Sequence, residues 1–200
     1  MVSLMRIGGV ATLLALLSAC GGSSPLPRDS FYRLVVPRDI HPVSVPPLAG
    51  TLVVKRFSAD GLIGQRPVAY AKASDPHTLY QYHYHFWTDV PTRLLQDYAV
   101  DFLRQSVAAE RVITPELGLA ADFQLLGKIR RLEFLQGSAP AVAVSLRLSV
   151  IQTASQALLL DKTYTLKRPV KGPDLVSASA TMNRLLAEIF KRFEADLSGL

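Results

Sequence analysis

The sequence predicts a two-layer α+β domain: a mixed or antiparallel sheet with two amphipathic helices packed on one face. Three observations predict it. Two long segments carry apolar residues at helical spacing, one through Leu94, Leu95, Tyr98 and Phe102, the other through Met182, Leu185, Leu186, Ile189, Phe190, Phe193 and Leu197. About seven shorter segments alternate apolar with polar residues, the period of a half-buried strand. Two of these, Ala141 to Val150 and Leu158 to Lys167, are joined by a turn at Thr153 to Gln156 and read as a hairpin. A strand that buries one face needs a cover, and a helix with one apolar stripe supplies it.

In chain order, Phe31 to Val36 is a short β-rich run, followed by an extended loop through Pro37, Pro42, Pro46 and Pro47. Thr51 to Phe57 is a second strand, with Leu52 and Val54 facing in. Asp60, Gly61 and Gly64 mark a loop. Arg66 to Lys72 is a third strand, with Pro67 at its start, where a missing donor is tolerated. Leu79 to Trp87 is the fourth. A period of two puts Tyr80, Tyr82, Tyr84 and Phe86 on one side of it and Gln81, His83, His85 and Trp87 on the other.

Thr88 or Asp89 then caps the first helix, with Pro91 in its first turn, and the helix runs to about Ala109. Asp122 to Leu135 keeps Phe123, Leu125 and Ile129 in step, then changes phase to Leu132 and Phe134, so a bulge is expected near Arg130. In the hairpin, Val142, Val144, Leu146, Leu148 and Val150 share one face. Asp174 caps the final helix.

The N-terminus reads as an address. Arg6 precedes an apolar run from Ile7 to Leu17, the size of a signal-peptide core and too short to span a bilayer. Leu17-Ser18-Ala19-Cys20 follows and resembles the bacterial lipobox. There the cysteine sulfur receives a diacylglycerol, the signal is removed and the new amine is acylated. Cys20 is the only cysteine, so neither an internal disulfide nor a cysteine metal cluster can form. The alternative is an unpaired thiol after a conventional signal. The expected organisation is a lipoprotein signal at 1–19, a lipidated flexible tether at 20–30 and one α+β domain at 31–200. Several acyl chains at Cys20 would anchor the chain durably, since each buried methylene contributes about 0.8 kcal/mol. Gly21 and Gly22 stand where inner-membrane retention would place an aspartate, which points to the periplasmic face of the outer membrane.

The chain has 22 Lys and Arg against 16 Asp and Glu, a formal charge of +6, and loss of Arg6 with the signal leaves +5. The basic residues are scattered in pairs such as Lys55-Arg56, Arg130-Arg131 and Lys167-Arg168. No tract is long enough for nucleic-acid binding. The motifs GxxxxGK[ST], GxGxxG, HExxH and GxSxG are absent, so neither nucleotide nor hydrolase chemistry is indicated and the expectation is no enzyme. His83 and His85 would project from one strand face about 7 Å apart. That spacing suits zinc only if His77, Asp75 or Asp89 supplies a third ligand. The simpler reading makes them surface rings, with no metal and no cofactor beyond the covalent lipid on Cys20.

Taken together, Leu17-Ser18-Ala19-Cys20, Phe31-Tyr32-Arg33-Leu34, Leu52-Val53-Val54, Arg66-Pro67-Val68-Ala69-Tyr70 and above all Tyr82-His83-Tyr84-His85-Phe86-Trp87-Thr88-Asp89-Val90-Pro91 resemble the ABC-type transport auxiliary lipoproteins, the PqiC-like family. The resemblance covers nearly the whole mature chain. It implies an outer-membrane lipoprotein working with an MCE-domain periplasmic protein and an inner-membrane ABC transporter to move lipids or other hydrophobic molecules, as a docking component and a candidate homo-oligomer. On this reading Tyr82, Tyr84, Phe86 and Trp87 fix the strand-to-helix corner, with Tyr82, Tyr84 and Trp87 also candidates for partner or lipid contact. Two other classes stay open: a lipoprotein regulating an envelope enzyme such as a cell-wall synthase, and a periplasmic metal-binding protein using His83 and His85.

Overall fold

The computed structural model describes residues 27–172 and 174–200, so the signal segment, Cys20 and most of the tether lie outside the described residues. Nine strands form one mixed sheet: β1 (Ser30–Tyr32), β2 (Leu48–Val54), β3 (Ser58–Ala59), β4 (Pro67–Lys72), β5 (Asp75–Trp87), β6 (Ala109–Ile113), β7 (Phe123–Gln136), β8 (Ala141–Gln152) and β9 (Leu158–Pro169). Helix α1 (Pro91–Gln105) lies between β5 and β6, and α2 (Leu175–Leu197) follows β9.

The organising element is β7. One edge pairs antiparallel with β8 along its length. The other is shared by three parallel partners in succession, β2 at Phe123 to Leu125, β3 at Lys128 and Ile129, and β4 at Phe134 to Gln136. Beyond them, β6 pairs parallel with β2, β5 antiparallel with β4, and β1 parallel with β5. The sheet is therefore mixed.

Both helices cover one face. Val142, Val144, Leu146, Leu148 and Val150 of β8 are buried against Met182, Leu185, Ile189 and Phe193 of α2, as the alternation in that strand requires. The helices meet where the Phe190 ring packs 5.4 Å from Tyr98 and 5.5 Å from Phe102. Gly127 of β7 makes room for Phe57, whose ring lies 2.5 Å from where a Cβ would stand.

The expected bulge is present. Between Ile129 and Arg131 the register with β8 slips by one residue, which moves Leu132 and Phe134 onto the core side. Asp174 caps α2 as expected, its Oδ1 accepting from the Ser177 N–H at 2.7 Å.

Other expectations are corrected. β1 is only three residues long, and the chain beyond it crosses to α2, where the Val35 N–H donates to Asn183 Oδ1 at 2.7 Å. β2 and β5 begin earlier than their alternation indicated, and β3 and β6 were not anticipated. The N-cap of α1 is Val90, without a side-chain cap, because the Asp89 carboxylate instead accepts from the Val90 N–H at 2.7 Å.

Helix α1 stops at Gln105, short of Ala109. Val107 adopts φ +58°, its N–H donates to the Arg104 carbonyl, and the Ala108 N–H donates to the Leu103 carbonyl. That is a Schellman closure with valine at the left-handed position, where glycine is usual. The chain then reverses into β6.

Candidate functional site

The aromatic strand β5 does not keep its period. Ala69 of β4 stands opposite Gln81 and Pro67 opposite Phe86, so two residues on β4 span five on β5. Three extra residues form an irregularity that reverses the alternation. His85 consequently packs on the same side as Tyr82, with ring centroids 5.4 Å apart, instead of sharing a face with His83.

His85 is half-buried, and its Nδ1 lies 2.9 Å from the Tyr32 hydroxyl. His83 is exposed, with Tyr84 as its neighbouring ring at 6.5 Å. The expected common face for the two imidazoles is thus corrected. Among the described residues no group of three or more His, Cys, Asp or Glu side chains is placed to hold a metal ion. Asp75 is engaged elsewhere: it accepts from the Tyr80 hydroxyl at 3.0 Å, and bonds to Thr78 and Tyr80 hold its carboxyl below the usual carboxylate range.

Trp87 closes the strand. Its side chain is 1% exposed. Its N–H donates to the Arg66 carbonyl at 2.8 Å, and Arg66 Nε donates back to the Trp87 carbonyl at 3.2 Å. The Thr88 N–H donates to the Tyr32 carbonyl at 2.8 Å. Phe86 stacks on Phe31 at 5.7 Å, and the Arg66 guanidinium lies 5.3 Å from the Phe31 centroid. Tyr84 is 43% exposed.

Tyr82 occupies the most informative position. Its ring lies 4.5 Å from Tyr70 and 6.5 Å edge-on to Phe134, and its hydroxyl accepts from Gln136 Nε2 at 2.6 Å. Burial raises its pKa. Beside it lies a cavity of about 200 Å³ between the middle of β5, the end of β7, the start of β8 and the first turn of α2. Its apolar wall comes from Tyr82, Phe134, Pro140, Val170, Leu175 and Ala178; Gln136, Gly137 and Asp174 supply the polar part. The volume falls below the roughly 300 Å³ at which drug-sized pockets begin, so the space fits a chain segment rather than a whole lipid.

Of the sequence-predicted residues, the structure brings Tyr82 to this cavity, seals Trp87 in the core and leaves Tyr84 and His83 at the surface. Phe134, Gln136, Val170, Leu175 and Ala178 were not singled out. They come from β7, α2 and the segment after β9, and no local spacing links them; only the phase change at Arg130 hints that Phe134 turns inward.

A sheet of this connectivity, covered by two helices and carrying a partly apolar cavity, defines a small α+β domain without a recognisable catalytic constellation among the described residues. The chain belongs to the family described as the ABC-type transport auxiliary lipoprotein component, which matches residues 35–192. A crystal structure of a protein from Xanthomonas campestris is similar in fold, with 22% identity over 85% of this chain and 96% of that one and a TM-score of 0.74. The crystal structure of a further, uncharacterized protein matches at 11% identity over 86% of this chain and all of that one, with a TM-score of 0.65. No protein of curated function matches the sequence. Among the described residues, no helix is long and apolar enough to cross a membrane.

Proposed function

We propose that the chain is a non-enzymatic auxiliary component of an ABC transport system of the MCE type, docking the periplasmic part of the transporter at the outer membrane. The observation that carries this reading is membership of the transport auxiliary lipoprotein family across residues 35–192. The Leu-Ser-Ala-Cys motif at residues 17–20 supports anchoring by acylated Cys20, and Gly21 supports the outer membrane as its destination. The cargo on this reading is a lipid or another hydrophobic molecule. Assembly into a homo-oligomer belongs to the same proposal.

The mechanism is tethering. Lipid on Cys20 fixes one end of the chain in the bilayer, and the folded domain presents its exposed sheet surface to an MCE-domain partner. Crosslinking in intact cells, followed by recovery of the lipidated protein and mass spectrometry, tests it. Co-recovery of MCE and ABC subunits, lost in Cys20→Ala, is expected; recovery of a cell-wall enzyme in their place would overturn it.

A further inference from the structure

Resting on the transport reading and deepening it, we propose that the cavity beside Tyr82 holds a segment of the hydrocarbon chain of an anionic amphiphile, whose head group sits at the Gln136–Gly137 mouth beside Lys72.

The wall is the first argument. Tyr82, Phe134, Val170, Leu175 and Ala178 line a space of about 200 Å³. A cavity of about 150 Å³ lined by apolar side chains alone stays dry and takes up benzene, and the apolar part of this wall has the same character. The polar groups of the lining are partly engaged, the Tyr82 hydroxyl accepting from Gln136 and the Asp174 carboxylate from the Ser177 N–H. A hydrocarbon segment restores the dispersion contacts an empty wall lacks.

The mouth is the second. Gln136 and Gly137 border both the apolar cavity and an adjoining polar hollow lined by Lys72, Ser74 and Ser138. Gly137 has φ +154°, and a Cβ there would stand 2.8 Å from Ala73 Cβ, so the bare backbone lets the β4–β5 turn pass close to the mouth. Lys72 is exposed and lines the hollow that shares Gln136 and Gly137 with the cavity, and its ammonium lies 4.7 Å from the Tyr80 ring centroid. The apolar space and the adjoining cation match a chain with an anionic end. Asp174 is the lining carboxylate such a head would avoid; capping α2 holds it ionised, so the head belongs at the Gln136–Gly137 side, away from the first turn of α2.

Two sources share this chemistry, a free fatty acid and a lysophospholipid. The test uses the mature chain with Cys20→Ser, so that no acyl group of its own competes, and titrates it with cis-parinaric acid followed by fluorescence. Palmitate, lysophosphatidylglycerol and hexadecanol then serve as competitors. Saturable binding of one probe per chain is expected, and whichever anionic competitor displaces it better names the source. Ala178→Phe fills the cavity and weakens binding at least about tenfold, since several methylenes lose their burial. Lys72→Gln weakens palmitate by up to about fivefold, the range of an exposed ion pair, and leaves hexadecanol unchanged. No saturable fluorescence from folded protein, or binding that both variants leave unaltered, would overturn the proposal. If Ala178→Phe does not fold, the acid-against-alcohol comparison in Lys72→Gln decides. A negative result here leaves the crosslinking result standing, so the two readings fail separately.

Discussion

The Tyr32 hydroxyl lies 2.9 Å from Nδ1 of His85, joining the first strand to the aromatic strand across 53 positions of sequence. The contact exists because the irregularity in β5 turns His85 toward Tyr82 and β1. Replacing Tyr32 by Phe should lower stability by about 1 kcal/mol, the net worth of one part-buried hydrogen bond. A double-mutant cycle with His85→Ala, read by urea unfolding, should return a coupling energy of similar size; simple additivity would mean the two groups do not interact.

Gly127 and Phe57 make a second specific pair. A Cβ at position 127 would lie 2.5 Å from the Phe57 ring, in the middle of a strand paired on both edges. Gly127→Ala should destabilise by about 1–3 kcal/mol through overpacking. Adding Phe57→Leu should return part of that loss, and thermal unfolding of the single and double variants measures it.

Val107 closes helix α1 with a positive φ that a β-branched residue resists. Val107→Gly should therefore raise stability by about 1 kcal/mol, the lower end of the left-handed penalty, with little change in the circular dichroism spectrum. A fall in melting temperature would show that the half-buried valine side chain outweighs its backbone strain.

Asp161 gives the fold an acid-sensitive contact. Arg147 meets it through two nitrogens at 2.8 and 2.5 Å and Ser149 donates at 2.7 Å, holding its pKa at about 2, below the ordinary 3.8. Because the folded value is depressed, its contribution is complete above about pH 4 and is lost as the pH falls from there through about 2. Asp161→Asn should therefore be less stable than the parent at pH 6, and the difference should shrink by pH 2. Unfolding curves at both pH values check the sign, and high salt should reduce the difference because the pair is exposed.

Much of the architecture was legible because it is local. The alternation through Val142 to Val150, the spacing in both helices and the phase change at Arg130 each reflect one element burying one side, and each corresponds to a feature of the fold. What was missed depends on partners distant in sequence. β6 looked like the tail of a helix because its stop is a Schellman closure on valine, without glycine as a marker. The irregularity between Gln81 and Phe86 exists only relative to β4, so His85 was assigned to the side opposite Tyr82, while Tyr80 and Tyr82 share a side as expected. The cavity gathers side chains from β5, β7, β8 and α2, and each reads as ordinary core within its own segment.

The short β1 also has a mechanical meaning. A pull on the N-terminus reaches the domain at Ser30 and acts along a strand lying parallel to β5, so the ladder is loaded in shear, with its bonds sharing the force rather than opening one by one. The Tyr32–Thr88 bond and the Val35–Asn183 bond take up the same load and pass it to the strand-to-helix corner and to α2. A pull at that end is thus shared between the sheet and α2 and does not fall on one bond.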